Sequence, residues 1–149
     1  MKWLNSKSLK ACLVLGLTAA TLLSSMAQPV PNTNEAKTEV LWLGQAGFRI
    51  KTPGGQTIVI DPWITGGPKA PPTYKADIAA LGKVDLLLVT HAHVDHIGDA
   101  PALAKLHKTV LYGPGDMITP LVTLGIMPAE LTHRFNKSGS VKPDRKSVV

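Results

Sequence analysis

From residue 39 onward the chain alternates short apolar runs with breaks rich in glycine and proline, the pattern of a small sheet-containing domain. Residues 39–43 (EVLWL) read as a first strand and 44–47 as a turn. Residues 48–51 (FRIK) alternate apolar and polar as a half-buried strand does. Pro53-Gly54-Gly55 marks a hairpin turn, and 57–60 (TIVI) is a buried strand ending in Asp61. Residues 62–73 (PWITGGPKAPPT) read as a loop, and 77–81 as a short helix closed by Gly82. Residues 84–89 (VDLLLV) are apolar except at Asp85, close to the pattern of a strand buried on both faces, and run through Thr90 into His91. Asp99 can cap a helix reaching Lys105, with Pro101 tolerable in its first turn. Residues 109–112 (TVLY) form another strand, and Thr119-Pro120 and Gly125 fit the start and stop of a last helix.

The first 27 residues follow another pattern. Lys2, Lys7 and Lys10 accompany an uncharged apolar stretch at 11–23, and Ser25 and Ala27 put small residues where a signal peptidase reads them. The stretch is shorter than the roughly 20 residues of a spanning helix, so residues 1–27 are expected to be a cleaved signal peptide and not a stable membrane anchor. The protein is then exported, to a periplasm or to the medium. Residues 28–37 (QPVPNTNEAK) read as a linker. Cys12, the sole cysteine, lies in the expected leader, so the exported form has neither disulfides nor thiolate metal ligands.

Charge adds little. The formal net charge is +6, but much of it sits at the two ends, in Lys2, Lys7, Lys10, Arg145 and Lys146. No basic stripe with interleaved aromatics is present, so no nucleic-acid partner is expected and a small-molecule substrate is.

The chemistry concentrates in residues 90–99 (THAHVDHIGD), where His91, His93, Asp95 and His96 fall within six residues. In extended backbone His91, His93 and Asp95 project to one side, with His96 at the turn toward a helix. Imidazoles and a carboxylate together suit zinc, manganese or iron. A strand ending in a loop places such ligands at the rim of a sheet, open to substrate.

This stretch resembles the HxHxDH signature of the metallo-β-lactamase superfamily. The likeness continues upstream through 42–48 (WLGQAGF) and 57–62 (TIVIDP), and more loosely downstream through 113–116 (GPGD). Within the superfamily the chain is most similar to metal-dependent hydrolases related to L-ascorbate-6-phosphate lactonase. The resemblance implies an α/β fold, the αββα sandwich, with its first half at residues 38–143. It implies two divalent ions, zinc or manganese, with iron also compatible. His91 and His93 would bind the first ion, and Asp95 and His96 the second. Asp95 is also the candidate catalytic carboxylate. Asp61 would match an upstream aspartate that orients ligands from behind them; an ordinary turn residue is the alternative. Thr90 and Asp99 flank the motif as similar residues do in relatives. His107 and His133 match no ligand and read as solvated surface histidines. The implied reaction is attack of a metal-activated water on an ester, lactone or phosphoester.

Relatives draw further ligands from later in the chain, which leaves two here for each ion, where a catalytic zinc takes three and a water. The 149-residue chain is therefore expected to be truncated and inactive. Residues 144–149 (DRKSVV) depart abruptly from the family pattern and match the translation of a short-read sequencing adapter, so they are expected to be non-native. The alternatives are an exported non-catalytic metal-binding module and an iron-dependent redox enzyme on the same scaffold. Export makes a direct prediction: N-terminal sequencing of the secreted or periplasmic protein should begin at Gln28, and an intact Met1 in purified membranes would refute it.

Overall fold

The computed structural model describes residues 37–143, so the expected leader, all but the end of the linker and the expected non-native tail lie outside the described residues. Six strands form one mixed sheet in sequential order. Strands β1 (Glu39–Gly44), β2 (Gly47–Lys51) and β3 (Thr57–Ile60) make an antiparallel meander. Strands β4 (Leu86–Leu88), β5 (Leu111–Pro114) and β6 (Thr132–Phe135) then add in parallel. The connections carry α1 (Pro72–Ala76), a 3-10 turn (Ile78–Leu81), α2 (Val94–Ile97), α3 (Ala100–His107) and α4 (Gly115–Thr123). The hairpin between β1 and β2 closes tightly because Gly44 adopts a φ of 99°, and a Cβ there would come within 2.9 Å of the Ala70 backbone nitrogen.

The cross-strand register sorts the sheet into two unlike faces. One row runs Leu41, Arg49, Val59, Leu87, Leu111 and Thr132. Its central members Val59, Leu87 and Leu111 are fully buried, with Leu103 and Ala104 of α3 and Met117, Ile118 and Leu121 of α4 in the same core. The neighbouring row runs Trp42, Phe48, Ile60, Leu88, Tyr112 and His133. This second face is as apolar as the first but far less covered. Trp42 is 49% exposed, Phe48 37% and Val40 63%, and Ile50, Ile58, Ile60, Leu86 and Leu88 are half-buried.

Several expectations need correction. Phe48 and Ile50 lie on the open face, so the alternation in β2 sends the polar Arg49 toward the helices. There Arg49 donates to the Tyr74 hydroxyl at 3.1 Å and its guanidinium sits 5.6 Å from that ring, an arrangement that lets a cation share an apolar layer. The loop expected over 62–73 gives way early to α1, which begins with Pro72 in its first turn. The last helix starts at Gly115, five residues before Pro120, which the helix interior accommodates. β6 has no counterpart among the expected elements: residues 132–135 (THRF) lack the apolar content of a buried strand, because this is an edge strand with half-exposed side chains. The segment 84–89 is buried mainly on one side, and its regular pairing is shorter than its apolar run, although Asp85 and Val89 still donate backbone bonds to Thr57 and Tyr112. Asp85 also accepts from the Thr57 amide at 2.8 Å and pairs with Lys83 at 2.7 Å, fastening β4 to β3 at the end remote from the histidines.

The two faces should respond differently to truncation. Leu87→Ala removes a fully buried side chain and should cost about 2–5 kcal/mol in urea unfolding. Leu86→Ala, on the open face, should cost about 1 kcal/mol or less, because much of that side chain already meets water. Equal losses would show that the second face is covered.

Candidate metal centre

The motif residues gather where the parallel strands end. β3 stops at Asp61, whose backbone turns into the left-handed region at φ 46°. β4 stops just before Thr90 and His91. Two bonds from backbone amides hold these ends side by side: the Asp61 amide donates to the Leu88 carbonyl at 3.0 Å, and the Thr90 amide donates to Asp61 Oδ1 at 2.7 Å. Aspartate is among the few side chains that tolerate this backbone region, and here its carboxylate bonds across to the next strand.

Asp61 is only 3% exposed, and its charge is satisfied by hydrogen bonds. Oδ2 accepts from Thr90 Oγ1 at 2.8 Å and lies 2.9 Å from His96 Nδ1. An ionised carboxylate only accepts, so His96 must carry its proton on Nδ1 to make this bond, which leaves its Nε2 lone pair bare.

His93 is extended, at φ −66° and ψ 145°, after bends at Thr90 and Ala92, and His91 Nε2 lies 3.0 Å from His93 Nδ1. The ring centroids of His91 and His96 are 3.9 Å apart, and those of His91 and His93 4.6 Å. Asp95 does not share their side of an extended segment as expected. It sits in the first turn of α2, because the chain coils immediately after His93, and its Oδ2 lies 3.8 Å from His96 Nε2. The structure thus brings the three imidazoles together and places Asp95 beside His96 alone.

These residues fit a divalent ion by donor chemistry and by one distance. Two nitrogens bound to the same tetrahedral zinc ion at about 2.0–2.1 Å lie roughly 3.3 Å apart. The His91–His93 nitrogen separation of 3.0 Å is close to that. Among the described residues no three His, Cys, Asp or Glu side chains converge as a complete ligand set.

The surrounding supports involve residues that the sequence pattern only hints at. Asp99 occupies the N-cap position of α3, but its side chain makes no capping bond. Its carboxylate accepts from the Ile64 amide at 2.5 Å, the Thr65 amide at 2.9 Å and the Thr65 hydroxyl at 2.7 Å, and its amide donates to the Pro62 carbonyl at 2.8 Å. The loop after Asp61 is therefore tied to the end of the motif. Gly98 makes room for this arrangement, since a Cβ there would fall 2.5 Å from the Trp63 ring. A cavity of about 640 Å³ opens beside His91, bordered by Thr90, Gly115, Asp116, Phe135, Asn136 and Lys137. The borders from 135–137 depend on β6, so no local sequence signal marks them. His133 is exposed and stacks loosely on Tyr112 at 5.2 Å. His107 is not a freely solvated histidine: it is half-buried, burial holds its pKa below the usual value, and its Nε2 has no partner.

With the geometry in place, a comparison with known families decides the membership. A model of the β-lactamase superfamily domain matches residues 39–139. The chain belongs to that superfamily. A UPF0173 metal-dependent hydrolase of Polynucleobacter asymbioticus is 65% identical over 130 residues, covering 84% of this chain and 46% of that protein. Another from Cupriavidus necator is 51% identical, covering 87% of this chain and 48% of its own length. A metallo hydrolase from the archaeon Ignicoccus hospitalis superposes with a TM-score of 0.60 at 30% identity, over 72% of this chain and 43% of that one. The chain spans about half the length of the curated relatives it matches. The superfamily match bears out the metallo-β-lactamase fold and a metal-dependent hydrolase family, and such a family implies a divalent metal.

The superfamily site should depend on Asp61 even without an ion. Asp61→Ala strands the Thr90 amide and the His96 Nδ1 proton, and should cost about 1–3 kcal/mol in urea unfolding. The hydrogen-bonded Nδ1 proton signal expected for His96 should vanish from the NMR spectrum. Unchanged stability together with a retained His96 proton signal would show that this carboxylate orients nothing.

Proposed function

We propose that this protein is the metal-binding half of an exported hydrolase acting on a small ester, lactone or phosphoester. The observation that carries the reading is the gathering of His91, His93 and His96 at the parallel strand ends, with buried Asp61 bonded to His96. His91 and His93 would hold one divalent ion, and His96 with Asp95 a second. Zinc and manganese both suit the donors, and iron is compatible with them. When bound, the metal supplies a nucleophilic water at neutral pH and a positive charge to polarise the electrophile.

The chain's own residues define the rest of the mechanism. Asp61 holds the Nδ1 proton of His96, leaving the Nε2 lone pair free to bind an ion. The Asp95 carboxylate, 46% exposed, can accept a proton released on the substrate side. The cavity beside His91 gives a small substrate access to the histidines. Export rests on the composition of residues 1–27.

Two ligands per ion are too few for a catalytic zinc, so the remaining ligands come from outside residues 37–143. The 149-residue chain alone should bind zinc or manganese weakly and turn over nothing. Supplied with the C-terminal half of the Polynucleobacter relative, it should hydrolyse ester, lactone or phosphodiester probes in a metal-dependent way. His93→Ala should reduce that rate by at least about 100-fold, as losing a ligand or its support does. Turnover that ignores chelators and survives His93→Ala would sink the proposal, as would tight stoichiometric metal in the dialysed chain alone.

A further inference from the structure

The motif histidines are linked to Asp61 by more than the direct bond to His96. Thr90 Oγ1 stands 2.8 Å from Asp61 Oδ2, 3.1 Å from His91 Nδ1 and 3.3 Å from His96 Nδ1. A hydroxyl has one proton to donate and two lone pairs to accept with. The carboxylate can only accept, so the hydroxyl proton goes to Asp61. Thr90 Oγ1 is then an acceptor toward its other neighbours. His91 can meet it in a hydrogen bond only with the proton on Nδ1, which leaves Nε2 bare.

We propose that Thr90 is a positioning residue: its hydroxyl relays the acceptor character of buried Asp61 to His91 and fixes that ring in the Nδ1–H tautomer. The neutral imidazole in water favours the opposite tautomer, with the proton on Nε2, the nitrogen that a metal would need bare. One carboxylate then sets His96 directly and His91 through a single hydroxyl, so both candidate ion positions share one determinant. The relay itself stands on hydrogen-bond geometry alone, but its purpose, presenting Nε2 to an ion, rests on the hydrolase reading above.

The test reads the tautomers in the metal-free, full 149-residue chain. Histidine labelled with 15N and 13C reports which ring nitrogen bears the proton by solid-state NMR of sedimented protein, so solubility does not limit the measurement. The spectra are compared at an alkaline pH above which they no longer change. Wild type and Thr90→Ser should both show His91 and His96 protonated on Nδ1. Thr90→Val, which keeps the shape and loses the hydroxyl, should return His91 toward the Nε2–H form while His96 stays as it was, because its bond to Asp61 is direct. A wild-type His91 already protonated on Nε2 would overturn the relay. So would a Thr90→Val variant in which His91 is unchanged, or in which His91 and His96 change together, since the latter marks collapse of the turn. These outcomes are independent of turnover: the relay can hold in a protein that hydrolyses nothing, and hydrolysis can be found in a protein whose His91 ignores Thr90.

Discussion

The bonding of one buried carboxylate holds this site together. Asp61 receives the Thr90 amide, the Thr90 hydroxyl and His96 Nδ1, all between 2.7 and 2.9 Å. A carboxylate removed from water is costly unless its lone pairs are taken up, and here the partners come from the next strand and from the motif turn. The same contacts that neutralise that cost also align β3 with β4 and aim the histidines. Fold and site therefore share an interaction, and neither can be altered at Asp61 without the other.

Asp99 has a similar role at the far end of the motif. Its three accepted bonds come from Ile64 and Thr65, in the loop that follows Asp61. The segment 61–65 is thus held at both ends by groups flanking the histidine motif, with Trp63 filling the space that Gly98 leaves. The mouth of the site is built from a strand end, a loop and a short helix, fastened by two carboxylates together with the Leu88 and Pro62 carbonyls. This is how irregular backbone can keep a fixed shape beside a sheet edge.

Much of this is legible in the sequence, and the failures have physical reasons. The runs at 39–43 and 57–60 announce β1 and β3 because their apolar residues are contiguous and their breaks are strong turn formers. The histidine motif announces the centre because four ligand-type residues so closely spaced after a strand are hard to explain otherwise. β6 is hidden because an edge strand needs no apolar run. Phe48 and Arg49 mislead because alternation shows that a strand has two sides, not which side the helices cover. Asp99 misleads because an aspartate before a helix satisfies the local capping pattern, whereas its true partners are 34 and 35 residues away. Local pattern cannot reveal a long-range acceptor.

Position 61 also illustrates how narrow a choice of side chain can become. The backbone there, at φ 46°, admits glycine, asparagine and aspartate with little penalty and most other residues poorly. Glycine would satisfy the backbone and offer no acceptor. Asparagine would fit the same space, but its amide brings one oxygen and a nitrogen that must donate, set against three donors already in place. Two independent demands, one on the torsion and one on the lone pairs, intersect in a single amino acid out of twenty. A replacement of the amino acid at this position therefore has no neutral neighbour, even where the new side chain is the same size.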